Sequence, residues 1–114
     1  FLIDVKTKRT TVDYCKPTYE ASISDYNPNQ LCDIYIFTRV NMEKRFGWIV
    51  GYIPKKEYFS KARFLKKGQI DGSNMFIVKG DCWNLYYRDL YDIEDLINKQ
   101  NEKTVVNYRL PFVF

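Results

Sequence analysis

Residues 1–9, Phe1-Leu2-Ile3-Asp4-Val5-Lys6-Thr7-Lys8-Arg9, form an apolar run broken by charges at alternate positions. Successive side chains of an extended chain point to opposite faces, so Ile3 and Val5 share one face while Leu2, Asp4, Lys6 and Lys8 share the other. The alternation predicts a β-strand. It also sets a carboxylate and an ammonium two residues apart on one side of that strand. Two explanations compete for the pair. One is a solvated face with a weak ion pair. The other is a carboxylate that holds a divalent cation beside an amine that stabilises a charged oxygen during phosphodiester cleavage.

Working outward, residues 10–30 (TTVDYCKPTYEASISDYNPNQ) are polar and punctuated by Pro17 and Pro28, which predicts an irregular connection with room for at most a short helix opening at Ser24 or Asn27. LCDIYIFTRV (31–40) is the strongest strand in the chain, and its near-continuous apolarity predicts a central strand buried on both faces. After the turn NMEKRFG (41–47), the run WIVGYI (48–53) has hairpin spacing and predicts an antiparallel partner, with Gly51 marking a bulge or a close backbone approach. Pro54 is placed to start a short helix ending near Arg63. Asp71-Gly72 marks a turn, and MFIVKGDCWNLYY (75–87) predicts one or two further strands, broken at Gly80, that extend the same sheet antiparallel. YDIEDLINKQ (91–100) predicts a helix capped by Asp92, with Ile93, Leu96 and Ile97 on one face. Asp89, Asp92, Glu94 and Asp95 are accounted for by that acidic helix start. In the tail, Val105, Val106 and Tyr108 suit a last strand, and Pro111 confines the residues after it to an edge or an extended arm.

These elements predict one α+β domain over residues 1–114, a mixed central β-sheet with two or three short helices. An aromatic content of 18% suits a β-rich chain. With 18 basic and 14 acidic residues the formal charge is +4, an excess compatible with an anionic partner but modest for a protein that coats DNA. The chain has no histidine, which excludes His-based zinc sites and Ser-His or Cys-His catalysis within it. Hydrolytic chemistry would therefore run on carboxylates, lysine and a hard cation. Cys15, Cys32 and Cys82 show no CxxC spacing, which speaks against a zinc cluster, and their odd count suits a reducing, cytoplasmic setting. No apolar run approaches the roughly 18 residues of a membrane helix, so no membrane partner is expected.

Lys55 to Lys67 contains six basic residues (Lys55, Lys56, Lys61, Arg63, Lys66, Lys67) against Glu57 alone, with Tyr58, Phe59 and Phe64 between them. Basic side chains interleaved with rings can hold phosphates and stack on bases. The plainer explanation is a solvated helix face whose rings pack inward.

An apolar strand carrying Asp4-x-Lys6 resembles the second half-motif of the PD-(D/E)XK nuclease superfamily, the restriction-endonuclease-like fold. The order of CDIYIFTRV (32–40), GWIVGYI (47–53) and PKKEYFSKARFLKKG (54–68) is similar to the succession of elements after the catalytic strand in some members. The resemblance implies a Mg²⁺- or Mn²⁺-dependent nuclease acting on DNA, or a domain derived from one. Asp4 and the carbonyl of Val5 would be metal ligands, and Lys6 would assist the attacking water. Lys8, Arg9 and the Lys55 to Lys67 cations would hold backbone phosphates. It further implies that the chain is the C-terminal portion of that fold, the remaining carboxylates lying in a segment ahead of Phe1. Within the chain, Asp13, Glu20, Asp25 and Asp33 are further candidate ligands. The alternatives are a non-catalytic module that binds nucleic acid or another protein, and a structural domain of a larger assembly.

Overall fold

The computed structural model describes residues 2–24, 31–71, 76–98 and 110–113. In chain order they form β1 (Ile3–Arg9), β2 (Glu20–Ser24), β3 (Ile34–Asn41), β4 (Phe46–Pro54), α1 (Lys55–Lys61), β5 (Arg63–Leu65), β6 (Ile70–Asp71), β7 (Phe76–Ile77), β8 (Cys82–Tyr86), α2 (Ile93–Asn98) and β9 (Leu110–Val113), with a 3-10 turn at Tyr87–Asp89. The fold is mixed α+β. One sheet has the order β1-β3-β4-β9, a second the order β2-β8-β5, and β6 pairs with β7.

β3 is central, as its β-branched and aromatic residues predict. It is not buried on both faces: Tyr35, Phe37, Arg39 and Asn41 are buried, whereas Ile34, Ile36, Thr38 and Val40 are only half-buried. The second sheet covers one face alone, so apolarity on the other face reflects partial cover. β3 and β4 pair antiparallel, as the hairpin spacing predicts, with Tyr35 opposite Ile53. The register shifts where Phe37 faces Gly51 and Thr38 faces Ile49, leaving Val50 as the extra residue of a bulge. Gly51 also allows a close approach, since a Cβ there would lie 2.5 Å from the Tyr91 carbonyl oxygen and 2.9 Å from the Leu90 Cβ.

Two expectations are corrected. The connection after β1 contains a strand, β2, which pairs antiparallel with β8. Only Ala21 and Ile23 bring apolar weight to Glu20–Ser24, too short an alternation to stand out beside Pro17. Nor does the segment after Gly80 extend the central sheet: β8 lies between β2 and β5 in a sheet of its own. Ala21, Ile23 and Leu85 from that sheet meet Tyr35, Phe37, Val50 and Ile53 from the first around Tyr58 of α1. Full burial of such a ring contributes about 1.5–3 kcal/mol. The Tyr58 hydroxyl donates toward the carbonyls of Ala21 (2.7 Å) and Trp83 (2.9 Å), linking α1 to both β2 and β8.

α1 follows Pro54 as predicted and stops two residues before Arg63. α2 follows Asp92, whose carbonyl accepts from the Asp95 N–H at 2.9 Å. β9 carries Pro111 on the edge of its sheet, where the missing N–H costs least. The short helix near Ser24 or Asn27, the Asp71-Gly72 turn beyond Asp71 and the strand over Val105 to Tyr108 lie outside the described residues. Among the described residues no helix is long and apolar enough to cross a membrane.

Candidate functional site at the start of the chain

β1 runs parallel to β3, with Asp4 opposite Tyr35, Lys6 opposite Phe37 and Lys8 opposite Arg39. Residues in register share a face, so the inward turn of Tyr35, Phe37 and Arg39 carries Asp4, Lys6 and Lys8 inward too. Ile3 and Val5 point away and are 44% and 54% exposed. The charged side of β1 is thus the more covered one, opposite to a plain solvated polar face. It lies at the rim of the core. Asp4 Oδ2 and Lys6 Nζ meet there at 3.1 Å, with 28% and 29% of their side chains exposed.

The backbone of β1 is divided as well. The Ile34 N–H donates to the Leu2 carbonyl at 3.2 Å, and the Thr10 N–H donates to the Val40 carbonyl at 2.8 Å. In a parallel ladder this assigns the even-numbered residues of β1 to β3 and turns the N–H and C=O of Ile3, Val5, Thr7 and Arg9 toward the outer edge. The Val5 carbonyl, a candidate metal ligand, is therefore directed to the open side of the strand that carries Asp4.

The other candidate carboxylates are spread out. Asp13 binds Lys44 at 2.7 Å on the surface. Asp33 accepts from the Leu2 N–H at 2.7 Å, fixing the start of β1. Glu20 is buried on β2, and its charge offsets part of the effect of burial on Lys8. Asp25 lies outside the described residues. Among the described residues no group of three or more His, Cys, Asp or Glu side chains is placed to hold a metal ion. The three cysteines are half-buried thiols.

The basic residues do not form one patch. Lys8 is turned inward, and burial together with the nearby Arg39 charge pulls its pKa down. Arg9 is exposed on the opposite face of β1. Lys55 and Lys56 border a groove of about 530 Å³ with Cys32, Asp33, Pro54 and Phe59. Lys61 is tied to Glu57 at 3.2 Å, a hydrogen bond that raises its pKa. Arg63 is tied to Asp71. Lys66 and Lys67 are exposed in the turn after β5. Of the interleaved rings, Tyr58 is fully buried, Phe59 packs edge-on against Trp83 at 5.5 Å, and Phe64 is 39% exposed.

Two polar clusters have no counterpart in the sequence expectations. Asp71, a buried carboxylate, accepts from Arg63 at 2.8 and 3.0 Å, from the Tyr86 hydroxyl at 3.3 Å and from Asn84 Nδ2 at 3.4 Å. Ser22 in turn donates to Asn84 Oδ1. The Arg63 hydrogen bond, more than any other group, pulls the Asp71 pKa down. Arg39 is buried with its guanidinium 4.2 Å from the Tyr19 ring centroid and donates to the Tyr87 hydroxyl at 3.2 Å, while its Nε finds no acceptor among the described residues. No sequence signal marks either cluster, because each is assembled from segments distant in the chain.

No family model, no curated protein and no solved structure matches this chain.

Proposed function

We propose that the chain carries part of a metal-dependent phosphodiesterase centre of the nuclease type. Asp4 would supply an oxygen ligand to Mg²⁺ or Mn²⁺ and the Val5 carbonyl a second, and Lys6 would stabilise the attacking hydroxide or the negative charge on the oxygens of the pentacovalent phosphorane. The reading is supported above all by the meeting of the Asp4 and Lys6 heads at 3.1 Å on a strand that runs parallel to β3. The resemblance implies the same parallel relation between the catalytic strand and the next one, with a helix between them, whereas the described part of the connection here holds strand β2. Mg²⁺ keeps several waters and takes one or two carboxylates plus substrate phosphate, so one acid and one carbonyl are a workable contribution from β1. The bound cation would supply charge neutralisation at the phosphate. Lys6, relieved of its bond to Asp4, would be free to turn to the reacting oxygen. That the substrate is DNA rests on the resemblance, an analogy at the level of fold. Arg9, Lys56, Lys66 and Lys67 are exposed cations available to its phosphates.

The test is cleavage of plasmid DNA by the intact protein with Mg²⁺ or Mn²⁺, comparing wild type with Asp4→Ala and Lys6→Ala. Each substitution should lower cleavage about 100-fold or more. Equal cleavage by all three proteins, or none by wild type, overturns the reading.

A second reading, a protein-binding module, is favoured by apolar residues that stay exposed on or beside the first sheet. Ile3, Val5 and Met42 are 44%, 54% and 50% exposed, and a groove of about 500 Å³ runs between Thr7, Arg9, Val40, Met42 and Phe112. Exposed apolar surface of this kind marks interaction sites.

A further inference from the structure

Among the described residues, β1 has a strand neighbour on one side only. Its register with β3 runs from Ile3 to Arg9 without a shift, so its outer edge is straight. Four residues, Ile3, Val5, Thr7 and Arg9, turn both N–H and C=O outward along it, and none is proline. Such an edge is a template for another strand unless bulges, proline, cover or charged side chains protect it; β1 has no proline and no register shift, and its charges, Lys6 and Lys8 above all, repel every strand but one of opposite sign. Its side chains add a chemical preference. Beside the edge, the inward face presents Asp4, Lys6 and Lys8, and the outward face presents Ile3 and Val5 before Thr7 and Arg9. The strand carries three cations and one acid, a net charge of +2.

We infer that this edge takes an extended segment of a separate polypeptide by strand addition, a segment whose side chains alternate between acidic and apolar. Acidic side chains then lie beside Lys6 and Lys8, and apolar ones beside Ile3 and Val5. Opposite charges across a strand pair attract, and like charges oppose pairing. A second copy of this chain would bring a +2 strand against a +2 strand, which is why charge complementarity selects an acidic partner. The inference does not depend on the nuclease reading. A backbone carbonyl has two lone pairs, so the Val5 carbonyl can accept an amide from an added strand and still face a cation.

The test is amide hydrogen exchange on the intact protein, with an acetylated and amidated octapeptide alternating glutamate and valine as the probe. An otherwise equal peptide alternating lysine and valine is the control. At saturation the glutamate peptide should slow exchange at Ile3, Val5 and Thr7 by about tenfold or more, leaving the β3-facing amides of Asp4 and Lys6 unchanged. Lys6→Glu should weaken binding of the glutamate peptide about fivefold. Val5→Pro removes an outward amide without touching the bonds to β3, and should abolish binding in a protein that still folds. Three results overturn the inference: slow exchange at Val5 and Thr7 without any peptide, protection that grows with protein concentration as a dimer forms, or equal binding of the two peptides.

Discussion

Beside the β2-β8-β5 sheet, Asp71 of β6 receives both terminal nitrogens of Arg63, the hydroxyl of Tyr86 and the amide of Asn84, and its own side chain is wholly buried. In the larger sheet, Asp4 meets the ammonium of Lys6 at 3.1 Å, and 28% of its side chain remains exposed. Both are acid–cation pairs, but the first spends the carboxylate on the fold. A forked guanidinium on a desolvated carboxylate leaves little capacity for another ligand. The second is held by a flexible stem at the rim of the core, where water, a cation or another chain can compete for either head. Burial and the kind of cation thus separate an acid enclosed by the fold from one that stays partly open to water.

The largest effect expected from this contrast lies at Arg63. Arg63→Ala leaves Asp71 buried without its cation and should destabilise the protein by about 3 kcal/mol in urea unfolding. The pH dependence should weaken with it. In wild type the Arg63 hydrogen bond lowers the folded pKa of Asp71, so its stabilisation is present above the unfolded value of about 3.9 and is lost as pH falls through the lower folded value. In Arg63→Ala both lowering effects of the guanidinium are gone while burial still opposes the charged form, so less stability should be lost on acidification than in wild type. A variant that loses less than about 1 kcal/mol would place Asp71 in the same class as an exposed pair.

Next come two buried positions, one on β4 and one on α1. Gly51→Ala should destabilise by about 2 kcal/mol, because the new methyl meets the Tyr91 backbone at 2.5 Å and that backbone is itself paired to Tyr52. Tyr58→Phe should cost about 1 kcal/mol, since the Ala21 and Trp83 carbonyls lose a buried donor while the ring stays in place. Thermal unfolding of each variant measures both, and a neutral result at Tyr58 would mean that the ring alone links α1 to the smaller sheet.

The contrast between the two pairs also divides what the sequence discloses. Alternation over residues 1–9 makes Asp4 and Lys6 neighbours before any fold is known, because a strand's period of two is a local property. The β3–β4 hairpin, Gly51 and the edge placement of Pro111 are legible for the same reason: a turn, a bulge and a missing N–H act within a few residues. Which face of β1 is covered is not local. It follows from the parallel register with β3, set across more than thirty residues of chain. The Asp71 site is less legible still. Ser22, Arg63, Asp71, Asn84 and Tyr86 come from four strands, and nothing near Arg63 distinguishes a salt-bridged arginine from a phosphate-binding one. The second sheet is hidden because β2 and β5 are short, and short strands carry little periodic signal.

The smallest stability effect is expected at Asp4, and it is the most informative of the set. Asp4→Asn keeps the shape of the side chain and removes its charge. An ion pair with both partners over a quarter exposed contributes about 0–1 kcal/mol, so the urea midpoint should hardly move. If cleavage is lost in the same variant, the carboxylate acts in chemistry and not in folding. If stability falls as far as in Arg63→Ala, the rim of β1 belongs to the scaffold as fully as the interior does, and neither a cation nor an added strand could draw Asp4 or Lys6 away from the other.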